Sequence, residues 1–273
     1  MSNTLALILL AVGSYIFGNI NWALIISKFK KSDIRKMGSG NPGTLNMSRN
    51  FGLGLGLLTF FLDILKGALP TLLAYFLLKE RVFNNGFPVW EFAIYLCGFC
   101  AVMGHIYPVF LKFKGGKGIA STIGVFLVTE SVHGIGWAII IIMALVAALL
   151  FIYFTEFGAM GSFIAITPPA VAGSIRLFIY YGQNYIGLTD LTGTTFVFYL
   201  ICNMLILAIC FFTWFAHRKN IERMLAGDEH PTSIKLMIVK MKMKKKEQSL
   251  QLEKENETPK ISIKDIEEQQ EEK

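Results

Sequence analysis

A helix that crosses a bilayer needs about 20 mostly apolar residues. This chain supplies candidate runs at roughly 4–27, 52–78, 89–111, 119–131, 134–155, 158–181 and 195–216. Charge follows the same division. Of the 45 charged residues, 19 lie in positions 235–273, so the preceding 234 residues carry too few to cover a water-soluble body of that size. The expected fold is therefore an all-α integral membrane protein of seven transmembrane helices over 1–234, followed by a charged tail at 235–273. The fourth run, from Ile119 to Ser131, is too short to cross a ~30 Å core as a straight helix and is expected to begin inside the protein. The first run lacks a basic leader and exceeds the length of a signal-peptide core, so it reads as a retained helix.

Lys and Arg set the orientation. Lys28, Lys30, Lys31, Arg35, Lys36 and Arg49 lie between the first two runs, and Lys112, Lys114 and Lys117 between the third and fourth. Arg218, Lys219 and Arg223 follow the last run, before a Lys-rich stretch at 240–246. Seven crossings put all three segments on one side. The other side has Lys79 and Arg81 in its loops, with Arg176 expected near a helix end. The positive-inside rule then places the N-terminus outside and the C-terminus in the cytoplasm. The tail is rich in Lys, Glu and Gln and lacks aromatic residues, which suits a disordered segment or a loose helix resting near anionic headgroups. Cys97, Cys100, Cys202 and Cys210 all fall in apolar runs and read as packing residues. No internal repeat of the kind found in transporters is visible.

Three basic segments on the expected cytoplasmic face carry the chemistry. Gly38-Ser39-Gly40-Asn41-Pro42-Gly43-Thr44-Leu45-Asn46-Met47-Ser48-Arg49 combines flexible backbone, neutral donors and a guanidinium fork suited to phosphate. On its own it is equally an ordinary polar turn. Phe113-Lys114-Gly115-Gly116-Lys117-Gly118 leads into a helix N-terminus, which joins amide donors, helix dipole and a cation. It fails the spacing of a nucleotide-binding P-loop. In the third segment His217 and Asn220 share a helix face, close to Arg223, Asp228 and Glu229. Two charges inside the second run, Asp63 and Lys66, sit three residues apart and read as a structural ion pair. His105, beside Gly104 and Pro108, reads as a structural hydrogen-bonding group.

These motifs, in this order and spacing, resemble those of the PlsY-type acyl-phosphate:glycerol-3-phosphate acyltransferases of bacterial membranes. The likeness runs from Gly13-Ser14 through Asp33-Ile34-Arg35, the Gly38–Arg49 loop, Asp63-x-x-Lys66-Gly67 and Gly104-His105-x-x-Pro108. It continues through Phe113-x-Gly115-Gly116-Lys117-Gly118 to His217-Arg218-x-Asn220-Ile221, Arg223, Gly227 and Glu229. The resemblance implies transfer of an acyl chain from acyl phosphate to the sn-1 hydroxyl of glycerol 3-phosphate at the cytoplasmic surface of the cell membrane. It implies Ser39, Lys117, His217 and Asn220 as catalytic residues. Substrate phosphate would be held by Ser39, Gly40, Asn41, Gly43, Asn46, Arg49, Gly115, Gly116 and Lys117, with Asp63, Lys66, His105 and Glu229 in supporting roles. One departure stands out: the family loop usually reads Gly-Ala-Thr-Asn where this chain has Gly43-Thr44-Leu45-Asn46, which puts the hydroxyl one position earlier.

An acyl phosphate is already an activated mixed anhydride, so orientation and electrostatics can supply much of the rate without a nucleophilic triad. The expected chemistry is direct attack by the glycerol hydroxyl, its proton passing to the leaving phosphate or to His217. Neither metal nor cofactor is expected, and no nucleic acid. The expected partners are the two substrates, membrane lipid and, as a candidate, the peripheral enzyme that makes acyl phosphate. An acyl-CoA-dependent enzyme with an H-x-x-x-x-D pair fits poorly, because the residues five beyond the histidines are Phe110, Ala138, Glu222 and Lys235. A transporter of a phosphorylated solute is the alternative from another class; the polar motifs at one face, not at the midplane, speak against it.

Overall fold

The computed structural model describes residues 1–185, 193–229 and 231–257, and its regular structure is helical apart from one bridge between Val82 and Pro88. In chain order the helices are α1 (Asn3–Gly18), α2 (Trp22–Phe29), α3 (Thr44–Phe51), α4 (Leu53–Leu78), α5 (Val89–Ile106) and α6 (Ile119–Ser131). They continue with α7 (Ile135–Thr155), α8 (Gly158–Tyr185), α9 (Gly193–Phe215), α10 (Arg218–Leu225) and α11 (Ile234–Glu257). Short 3-10 turns occupy Ile34–Lys36 and Val109–Leu111. The chain divides into two compact units, Met1–Ile234 and Lys235–Lys273. For the tail, where disorder or a loose helix was expected, the structure gives a helix to Glu257; residues 258–273 lie outside the described ones.

Six segments among the described residues are long and apolar enough to cross a membrane: Asn3–Phe29, Leu53–Leu78, Val89–Leu111, Ile135–Thr155, Gly158–Gln183 and Thr195–Phe215. Their outward faces carry exposed Leu57, Phe61, Phe76, Met143, Leu150, Met204 and Phe211, a surface suited to lipid. The chain is thus an integral membrane protein of several spans. The first of the six is interrupted. Asn19 bonds back to the carbonyl of Tyr15, and the Asn21 side chain accepts from Leu24 N–H at 2.9 Å to start α2 afresh.

Bare backbone brings the helices together. A methyl on Gly18 would stand 2.3 Å from the Ala101 carbonyl oxygen, and one on Gly104 2.2 Å from that of Tyr15, so α1 and α5 touch main chain to main chain. Gly67 and Gly124 do the same for α4 and α6, each within 2.0 Å of a carbonyl oxygen on the other helix. With no hydrophobic force between helices in lipid, such small-residue seams are the main source of packing.

The seventh expected span, α6, has 13 residues, which gives about 20 Å of rise. Its first turns are enclosed: Gly118, Ala120, Ser121, Thr122 and Ile123 are all buried. It starts within the bundle, and the Lys117 loop reaches down to meet it.

Candidate active site

The first loop is organised by Asn46, which is almost fully buried. Its side-chain oxygen accepts from Ser39 N–H at 3.1 Å and from Asn50 at 3.0 Å. Its amide donates to the carbonyls of Ile34 and Met37 at 3.2 and 3.0 Å. All four hydrogen-bonding positions of the side chain are occupied, so the Asn46 side chain shapes the loop, and only its backbone N–H is left for a phosphate. Gly38, at φ +53°, passes so close that a methyl there would lie 2.4 Å from the Asn46 side-chain oxygen.

The amides of Gly40 and Gly43 differ from expectation, because they close local turns onto Met37 and Asn41 carbonyls at 3.0 Å each. In this loop the amides of Gly38, Asn41, Thr44, Leu45 and Asn46 donate to no carbonyl among the described residues, the last three ahead of the first helical bond from Met47 to Gly43. Ser39 is exposed, and Asn41 lies beside Gly43. Upstream, Asp33 caps the turn into Ile34–Lys36 and takes both nitrogens of the Arg35 fork, which holds its carboxyl down at about 2.

The second loop is laid onto the end of α5. Gly115 N–H donates to Ile106 O at 3.2 Å and Gly116 N–H to His105 O at 3.1 Å. These amides therefore do not form the expected anion cradle. Packing explains the glycines instead: a methyl on Gly115 would stand 2.0 Å from the His105 carbonyl, and one on Gly116 2.3 Å from the His105 ring. Beneath lies a buried polar floor. Lys66 donates to Asp63 at 2.9 Å and to His105 Nδ1 at 3.1 Å, with Ser121 Oγ 3.3 Å from the same nitrogen. Asp63 and Lys66 thus hold His105, whose ring packs against Gly116 in the loop that carries Lys117.

Above this floor the expected residues converge. Lys117 donates to the Asn220 side-chain oxygen, and Asn220 donates to Glu229 at 2.7 Å. Arg223 reaches the other Glu229 oxygen at 3.3 Å. Burial, with Arg223 and Arg49 nearby, pulls the Lys117 ammonium down to about 8 against the opposing pull of Glu229. Arg49 is likewise pulled down by burial and supported by Glu229. Arg49, Lys117, Arg223 and Glu229 therefore share one electrostatic neighbourhood.

His217, buried at the start of α10, places Nδ1 2.8 Å from the Thr213 carbonyl. A carbonyl only accepts, so Nδ1 carries the proton and Nε2 presents a lone pair. Burial first, then Lys117, push its pKa down to about 3, which keeps the ring neutral. Among the described residues, no hydrogen bond joins Ser39 to Lys117, His217 or Asn220; it belongs to the separate cluster around Asn46.

Two features escaped the sequence reading. Arg49 donates through Nη2 to the Pro231 carbonyl at 3.3 Å and to the Thr232 hydroxyl, a residue in no recognised motif. The second is a sealed cluster at the other ends of α5 and α6. Arg176 lies inside α8, not near a helix end, and is almost fully buried. It donates to Glu130 at 2.9 Å and to the Tyr95 hydroxyl, 4.0 Å from Glu91, which in turn lies 3.1 Å from His133. The available signal was one charge in each of three apolar runs, two acidic and one basic.

Comparison with known proteins shows the family. The profile of the glycerol-3-phosphate acyltransferase family matches residues 8–227. The glycerol-3-phosphate acyltransferase of Mycoplasmopsis pulmonis is 37% identical over 218 residues, covering 80% of this chain and 89% of its own. That of Aquifex aeolicus is 33% identical over 230 residues, covering 81% and 96%. The crystal structure of PlsY, an integral membrane glycerol 3-phosphate acyltransferase, superposes in its glycerol 3-phosphate form with a TM-score of 0.61 at 28% identity, covering 83% of this chain and 95% of that one. On its helices, its cationic site and these relatives together, the chain belongs to the family of PlsY-type glycerol-3-phosphate acyltransferases.

Proposed function

We propose that this protein transfers an acyl chain from acyl phosphate to the sn-1 hydroxyl of glycerol 3-phosphate, giving lysophosphatidic acid and inorganic phosphate. The observation that carries the reading is the joining of Lys117, Asn220, Glu229 and Arg223 in one hydrogen-bonded chain, with Arg49 and the neutral His217 in its field. Two phosphate-bearing substrates need cations that hold their charge at neutral pH. Arg49 and Lys117, at about 8, meet that need. The free amides at the starts of α3 and α6 add dipole and donors, and the exposed Ser39 hydroxyl adds a neutral one.

In the reaction the glycerol oxygen attacks the acyl carbonyl, a new C–O bond forms, and the carbonyl carbon's bond to the phosphate oxygen breaks. His217 Nε2 accepts the hydrogen bond of the attacking hydroxyl and orients it. A ring held at about 3 beside an ammonium is a poor resting place for a proton, so the departing phosphate takes it. Lys117 offsets the charge that gathers on that phosphate, and Asn220 and Glu229 hold Lys117 in position. We read α6 as a seventh, short crossing beside the six long apolar segments; with the placement of Lys and Arg, this supports a site on the cytoplasmic face of the cell membrane and an N-terminus outside.

Purified protein offered glycerol 3-phosphate with either acyl phosphate or acyl-CoA tests the assignment. Lysophosphatidic acid and phosphate are expected from acyl phosphate alone; formation from acyl-CoA alone overturns the donor. Flux of labelled glycerol 3-phosphate into vesicles without any acyl donor, and no product with one, overturns the enzyme.

A further inference from the structure

The segment after α10 does more than leave the site. Gly227, at φ +73°, turns the chain so that Glu229 reaches back to Asn220 and Arg223, and two residues beyond His230 the chain meets Arg49. Thr232 is 2% exposed and fixed from several directions. Its N–H donates at 2.7 Å to the carbonyl of Glu156, a left-handed residue at φ 63° that ends α7. Gly158, opening α8, lies against it so closely that a methyl there would stand 2.7 Å from the Thr232 hydroxyl and 3.2 Å from Leu45. Helix α3, the α7–α8 turn and the C-terminal segment therefore meet at one threonine, whose hydroxyl accepts from Arg49.

We infer that Thr232 is a positioning residue, which tethers Arg49 through Nη2 and so fixes where the remaining donors on Nε and Nη1 meet a substrate phosphate. Among the described residues neither Nε nor Nη1 makes a hydrogen bond, while Nη2 makes two. A guanidinium tethered at one nitrogen is held in a fixed plane, so its remaining N–H donors meet phosphate from a set direction. Untethered, the same side chain would lose rotamer freedom on each binding event.

The inference rests on the acyltransferase reading, and the two can fail separately. In the acyl phosphate assay, Thr232→Val keeps the shape and removes the acceptor. It is expected to raise KM for glycerol 3-phosphate about tenfold, with kcat within twofold and thermal unfolding within two degrees of wild type. Thr232→Ser is expected to bring KM back to within twofold. In an Arg49→Ala background, Thr232→Val is expected to have no further effect. Unchanged KM in Thr232→Val, an effect that adds to Arg49→Ala, or failure of serine to rescue would each overturn the anchor while leaving the reaction intact. Absence of product from the wild-type protein would instead overturn the reading on which it rests.

Discussion

The bundle holds two clusters of charge, and they are built on opposite plans. At one end of α5 and α6, Lys117, Arg49 and Arg223 outnumber Glu229, and donors are left over: Nε and Nη1 of Arg49 and the opening amides of two helices. At the other end, Glu91 and Glu130 outnumber Arg176, all three almost fully buried among apolar side chains such as Ile94 and Leu177. The first cluster has the surplus of cations that the proposed phosphate substrates call for. In the second, Arg176 ties α8 to α5 and α6, and the side-chain oxygens of Glu91 have no hydrogen-bond donor among the described residues. Charge in a membrane protein is thus not in itself a mark of catalysis. A cluster in which cations outnumber carboxylates suits anions, and a buried one in which a single cation spans carboxylates on two other helices suits holding helices together.

Substitution separates the plans. The largest effect is expected from Lys117→Ala, with a loss of about 10²–10³-fold in turnover, the scale of removing one preorganised donor to a developing charge. Thermal unfolding should move little, and activity and melting measured on the same preparation check both halves. Arg176→Met should do the reverse. It leaves two carboxylates buried without their partner, at about 3–5 kcal/mol, which would appear as a large fall in melting temperature or in recovery of folded protein. An Arg176→Met protein that melts like the wild type but turns over slowly would break the comparison.

Acidity gives an intermediate effect. Phosphate binding favours charged Lys117, so KM for glycerol 3-phosphate should hold steady below pH 8 and rise as pH climbs past it, where the free protein loses that proton. Lys117→Arg should flatten the rise. His217, held near 3, should contribute no step between pH 5 and 9, and a step that vanishes in His217→Ala would contradict its neutral role. The smallest effect is expected from Glu91→Gln, an isosteric change that removes a buried charge with no donor. Melting should stay within about 1 kcal/mol of wild type or improve, with activity unchanged.

The long helices were legible because hydropathy acts over whole segments. Of the motif residues, Lys117 and Asn220 are joined by a hydrogen bond, and His217 lies in the field of Lys117. What the motifs could not reveal was the use of their backbone. Gly115 and Gly116 suggested an anion cradle, yet their amides are taken by carbonyls at the end of α5, and their lack of a side chain is dictated by His105. The Asn46 side chain suggested a ligand and proves to be an internal strut. Glu91, Glu130 and Arg176 stayed hidden for another reason. Each stands alone in its own helix, and only tertiary packing puts them within reach of one another.

The shortness of α6 has a consequence for the proposed reaction. About 20 Å of helix cannot fill a ~30 Å slab, and if the shortfall lies on the Lys117 side, the notch there would admit water-borne anions while hydrocarbon remains alongside. Drawing a fatty tail out into water would cost about 0.8 kcal/mol for each methylene exposed. With the notch, neither reactant has to change phase: the donor keeps its tail in the oil, the acceptor keeps its headgroup wet, and the bond between them is made at the waterline.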